Sequence, residues 1–147
     1  MVELQDSERG FDHRLRPGES MVDEYLAQMH VHCHNHAGAI FLAERRGEIV
    51  GLVMVLARVP FEALDDPPGH YALVAELVVR EGFRRMGIAR ALLDAAERYA
   101  RDAGASELRI NVLSQNAPAR TLYLDEGFTP YKETLAKPLD MSLGIRR

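Results

Sequence analysis

Residues 70–79, His-Tyr-Ala-Leu-Val-Ala-Glu-Leu-Val-Val, are apolar on both faces except for Glu76. A run of strand length with no polar face belongs in the centre of a sheet, covered on both sides. That requirement rules out an all-helical chain and demands covering layers. The next residues supply one. Residues 80–90, Arg-Glu-Gly-Phe-Arg-Arg-Met-Gly-Ile-Ala-Arg, are basic and punctuated by glycine. They lead into a helix expected over about 87–103, where Ile88, Leu92, Ala95 and Tyr99 recur at i, i+4, i+7 and i+11. Gly104 is a fitting stop.

The segments on either side extend the pattern. Residues 1–18 form an acidic, polar leader (Glu3, Asp6, Glu8, Asp12) closed by Pro17 and Gly18, read as a loose leader or a shortened first strand. Residues 19–31 show helical spacing through Met21, Val22, Tyr25, Leu26 and Met29. The apolar runs 39–44 and 49–59, joined across Arg45-Arg46-Gly47-Glu48, predict a hairpin, with Gly51 as a candidate bulge. Beyond the long helix, 106–113 alternates as a strand, Asn116-Ala117-Pro118 opens a short helix ending at Gly127, and 129–136 is expected as a last strand. The order is helix, strand, strand, strand, helix, strand, helix, strand, which suits an α+β or α/β chain.

Composition narrows the function classes. The 147 residues suit one domain, taken as 19–147 behind the leader. The net charge of −4 argues against nucleic acid, which usually pairs with a basic domain. No apolar run approaches a membrane span, and the polar start is not a secretion signal. A single cysteine, Cys33, cannot form an internal disulfide and points to a reducing, cytoplasmic setting.

The basic loop carries the chemistry. A helix start leaves unpaired N–H groups and a partial positive charge, and a glycine there lets an anion reach the backbone. Arg84 and Arg85 add charge, so the segment Arg84-Arg85-Met86-Gly87-Ile88-Ala89 suits a pyrophosphate. Gly82 and Gly87 lack the dinucleotide-binding spacing G-x-G-x-x-G, and alone the loop reads as a basic helix cap. Its neighbours change that. Leu77-Val78-Val79, then Arg84-x-x-Gly87-x-Ala89, then Asn116, then Leu122-Tyr123 and Glu126-Gly127-Phe128 resemble the GNAT superfamily of N-acetyltransferases over roughly residues 39–137. The resemblance implies a mixed central sheet, flanked by helices, with two parallel strands splayed apart. It implies acetyl-CoA as cosubstrate, its pyrophosphate on the backbone of 84–89 and its pantetheine arm along 77–79. Asn116 would contact the cofactor near the thiol, and Tyr123 would protonate the departing sulfur. The acceptor would be a primary amine of a small molecule or peptide. The family usually opens with a strand that this chain shortens or lacks. That would expose a sheet edge for a homodimer partner.

The chemistry has its own logic. Alkyl amines have pKa values near 10, so a base must take a proton before or during attack. A backbone N–H at Val78 or Val79 could stabilise the oxyanion, and a phenol such as Tyr123 can donate to the leaving thiolate. Glu76 is the candidate base, since a carboxylate within an apolar strand is costly unless it faces a cleft or a partner, and burial raises its pKa towards the working range. Its plainer reading is a carboxylate bonded to neighbours. His70 is a weaker base candidate. An acyl-CoA-binding sensor or structural domain of the same fold, without transferase activity, is the alternative, although such a domain needs no acid at 123.

Two further features are ambiguous. His30, His32, His34 and His36 alternate; on a strand they would share a face, and on a helix they form i, i+4 pairs of the kind that hold zinc or nickel. With no carboxylate in a ligand pattern, a polar helix end without a metal is expected. Glu62, Asp65 and Asp66 form an acidic loop that would attract cationic amines if it lies at the acceptor entrance.

Overall fold

In the computed structural model, all residues are described except 1, 13, 62–64, 138 and 140–147. The elements are α1 (Val2–Arg9), α2 (Val22–Asn35), β1 (Gly38–Arg45), β2 (Glu48–Pro60), β3 (His70–Val79), α3 (Ile88–Asp102), β4 (Leu108–Ile110) and α4 (Ala117–Asp125). The sheet order is β1-β2-β3-β4, antiparallel for the first three strands and parallel between β3 and β4.

The expected hairpin forms, and its turn explains its tightness. Arg46 and Gly47 both have positive φ, 53° and 79°, the left-handed pair that matches strand twist in a two-residue turn. A bulge lies beside Gly51, since Ala43 pairs Gly51 while Glu44 pairs Ile49, which leaves Val50 as the extra residue. Gly51 itself answers a close approach. A Cβ there would stand 2.9 Å from the Val78 carbonyl oxygen and 3.2 Å from Leu92 Cδ1.

Helices cover both faces of β3, as its composition requires. On one face Val53, Val55, Ala72 and Val74 pack against Leu92, Leu93, Ala96 and Ala100 of α3. The buried stripe of α3 is thus centred on 92, 93, 96 and 100, with Ile88 and Tyr99 at its margin. On the other face Met54 and Leu56 pack against Met29 of α2, with Tyr25 and Cys33 alongside.

Three expectations are corrected. The leader holds an α-helix, α1, and not a strand or a loose segment. It is fastened where the Asp6 carboxylate accepts the Gly18 N–H at 3.0 Å, and Gly18 lies so near Val2 that a Cβ would meet its Cα at 2.8 Å. The fourth strand shrinks from 106–113 to three residues because its pairing with β3 stops at Val74↔Ile110. Residues 129–137 form no strand: Pro130 has no N–H to offer, β4 is a short template, and Tyr131 instead lays its ring on Arg109.

Candidate active site

The site begins where β3 and β4 part. Among the described residues only Ala72↔Leu108, Leu73↔Arg109 and Val74↔Ile110 are paired, so β3 runs on through 75–79 with no described partner on that side. The backbone facing this gap follows from alternation. The Arg80 N–H bonds Val50 O at 3.0 Å, so Arg80 and Val78 face β2, and Leu77 and Val79 face the gap. Val78 is thereby corrected as an oxyanion donor, since its backbone is turned to β2. Its side chain is buried.

A second bulge aims Glu76. Met54 pairs Glu76 and Val55 pairs Val74, which leaves Ala75 as the extra residue. Strict alternation from Ala72 and Val74 would drive Glu76 into the α3 core. The bulge flips the parity, so Leu77 and Val79 take core positions and Glu76 turns to the face that α2 covers. There the Tyr25 hydroxyl donates to Glu76 Oε1. Burial, and after it the nearby Glu8 carboxylate, push Glu76 up to about 7. Burial likewise raises Glu8. Tyr123 of α4 sits within electrostatic reach of both carboxylates. Burial first, then Glu8 and Glu76, push its phenol up to about 12. Its ring packs edge-on to Phe128 at 6.0 Å. Tyr123 packs against the α3 core while Glu76 faces α2, so the two are linked by the pull of the carboxylate on the phenol and, among the described residues, by no hydrogen bond.

At the far end lies the basic loop. Arg85 and Gly87 have positive φ, 64° and 78°, and Gly87 caps the start of α3. Among the described residues, the backbone N–H groups of residues 85–90 bond no acceptor, while Ala91 N–H closes the first turn on Gly87 O. Arg85, Met86, Gly87, Ile88 and Ala89 therefore offer successive free donors at a helix start, an anion cradle that a pyrophosphate fits. No heavy atom stands within 4 Å of a Cβ built on Gly87, so the room an anion needs is there. Arg84 is partly engaged: its N–H bonds Glu81 O, and its Nε donates to Val79 O at 3.1 Å, which ties loop to strand through that nitrogen. A cavity of about 440 Å³ beside the loop is lined by Ala43, Glu44, Arg45, Val50, Met86 and Ile88, and includes neither Glu76 nor Tyr123.

Asn116 caps α4, its Oδ1 accepting the Ala119 N–H at 3.2 Å, so that oxygen is committed to the helix. The histidines lie at the end of α2, and His36 Nδ1 is 3.2 Å from Arg58 O. Among the described residues no group of three or more His, Cys, Asp or Glu could hold a metal. None of the described helices is long and apolar enough to cross a membrane. Of the acidic loop, Glu62 lies outside the described residues.

Sequence reasoning missed Glu8 and Tyr25. Tyr25 was legible only as a member of an apolar stripe. Glu8 was one acid among several in a polar stretch, and nothing marked it out.

Residues 3–128 match the acetyltransferase (GNAT) family. The chain belongs to that family. It is 35% identical over 107 residues to an N-alpha-acetyltransferase of Sulfurisphaera tokodaii, covering 69% of this chain and 62% of that one. It is 34% identical over 113 residues to N-acetyltransferase 8F1 of Rattus norvegicus, covering 76% and 49%. The chain thus spans less than two thirds of these relatives' lengths. Among solved structures, a mutant form of the BH1408 protein from Bacillus halodurans superposes with a TM-score of 0.76 at 19% identity, covering 94% of this chain and 86% of that one. AAC(6')-Iy in complex with the bisubstrate analogue CoA-S-monomethyl-acetylneamine gives a TM-score of 0.67 at 19% identity, covering 80% of each. At these identities the likeness speaks for the shared fold.

Proposed function

We propose that this GNAT member is an acetyl-CoA-dependent N-acetyltransferase that acetylates a primary amine of a small molecule or peptide by direct attack. The observation that carries the reading is the strand gap that leads to a cradle of N–H groups with no acceptor among the described residues, with Glu76, raised to about 7, and Tyr123, raised to about 12, as the titratable groups that act on each other nearby. Acetyl-CoA would supply the acyl thioester and a thiol leaving group. The N–H groups of residues 85–89 would hold its pyrophosphate, and the gap-facing backbone of Leu77 and Val79 would hold its arm and polarise the carbonyl. Glu76, half ionised near neutral pH, would take the amine proton, with Tyr25 fixing the carboxylate. Tyr123, protonated throughout the neutral range, would donate to sulfur.

Gly87→Val tests the cradle. A β-branched residue at φ 78° is strained, and its side chain would fill the space an anion needs. CoA affinity measured by calorimetry on the folded variant should fall at least tenfold, about 1.4 kcal/mol. Unchanged affinity would remove this loop from the site. Incubation with acetyl-CoA and a panel of amines tests the activity itself. Free thiol matched by acetylated amine is expected. CoA binding without thiol release across the panel would favour the acyl-CoA-binding sensor.

A further inference from the structure

We propose that Arg109 and the three aromatic rings around it form a second acceptor subsite on the Glu76 face of the sheet, which takes a carboxylate carried by the acceptor amine. The inference rests on the transferase reading above and adds the acceptor's class: an amine whose carboxylate lies several bonds from the nucleophilic nitrogen.

The sheet's own parity supplies the first argument. Leu108 and Ile110 pack into the α3 core, so Arg109 between them points to the opposite face. Tyr71 precedes Ala72 of that core and shares the Arg109 face. The bulge at Ala75 turns Glu76 to this same face. Arg109 is level with Leu73, three positions before Glu76. At about 3.3 Å per residue this separates the two positions by roughly 10 Å along the strand, less the shortening of the bulge. An acceptor spanning them needs separated ends.

The second argument is the setting of the guanidinium. Its Cζ lies 4.1 Å from the Tyr71 ring centroid, 4.5 Å from Tyr131 and 5.2 Å from Phe61. The three rings come from β3, from the segment after α4 and from the loop after β2, and they shield part of the cation from water. An ion pair formed there is screened less than one in open solvent. Glu107 occupies one edge only: Nε donates to its Oε1 at 2.6 Å, and Nη2 pairs with the same oxygen. Nη1 bonds no acceptor among the described residues. The Arg109 side chain is 25% exposed and that of Glu107 44%, so a ligand can reach the cation and Glu107 can give way to water. Replacing that exposed carboxylate with the acceptor's own keeps the charge balanced.

The test compares 6-aminohexanoate with hexylamine, the same chain with and without a carboxylate, at saturating acetyl-CoA. In the unmutated protein kcat/KM should favour 6-aminohexanoate about tenfold, mainly through KM, as one charge-assisted bond allows. Arg109→Gln should bring the ratio to about one, and Arg109→Lys should keep part of it, with melting temperatures checked on the same samples. Equal kcat/KM for the two amines in the unmutated protein would overturn the subsite, even if Arg109→Gln fails to fold. So would a Gln variant that slows both amines by one common factor, which would mark Arg109 as a clamp for its loop and tail. Thiol release with other amines but neither of these would sink the subsite and spare the transferase. No thiol release with any amine would sink both.

Discussion

Tyr123→Phe should lower kcat about 100-fold, the low end of what general acid catalysis supplies, because a thiolate is already a fair leaving group. The ring and its edge-on contact with Phe128 are kept. No hydrogen bond holds the Tyr123 hydroxyl among the described residues, and it is not a fully buried orphan, so the change breaks no bond of the fold. Acetyl-CoA affinity and melting temperature should therefore stay nearly constant. The measurement is kcat and melting temperature on one sample with acetyl-CoA saturating. Full activity in a stable variant would remove Tyr123 as the acid and leave solvent as the donor. A fall in melting temperature that accounts for the rate loss would mean a packing role.

Glu76→Gln should lower turnover about 100-fold at pH 7 and less at pH 9, where more of the amine is already neutral. It should also stabilise the protein at the pH where it slows it. Glu76 is raised from 4.5 to about 7, so the fold favours its protonated form. The stability this gives is complete below about pH 4.5 and is lost as pH rises to about 7. Above that the charged carboxylate is held at a cost of up to about 3 kcal/mol, from roughly 1.4 kcal/mol per pK unit. Glutamine carries no such cost and still accepts from Tyr25. The variant should melt several degrees above the unmutated protein at pH 8 and level with it at pH 4. A pH-independent loss of rate together with a lower melting temperature at pH 8 would assign Glu76 a structural role.

Much of this was legible in the residues. The β3 strand, the α3 helix and the hairpin follow from hydrophobic period and turn chemistry, which act over a few residues. Glu76 stood out because a lone carboxylate in an apolar strand needs an explanation. What was not legible depended on long-range partners. The length of β4 is set by where β3 stops pairing with it, and the bulge at Ala75 by competition between two faces for one strand. The spacing of residues 1–18 carries little apolar signal, so α1 appears only through its contacts with Gly18, and Glu8 with it. Arg84 and Asn116 show the converse limit. Their residue types suited the cofactor, and nothing local in the sequence showed that one polar atom of each, Arg84 Nε on Val79 O and Asn116 Oδ1 on the Ala119 N–H, would be taken by the backbone.

The pH dependence of kcat/KM for the unmutated protein, run from pH 5 to 10 with saturating acetyl-CoA and two amines of different pKa, tests the central claim most directly. Acid–base transfer through Glu76 predicts a limb near pH 7 with both amines, alongside a second limb that moves with the amine. A profile that follows only the amine's own pKa, with nothing near 7, would contradict it.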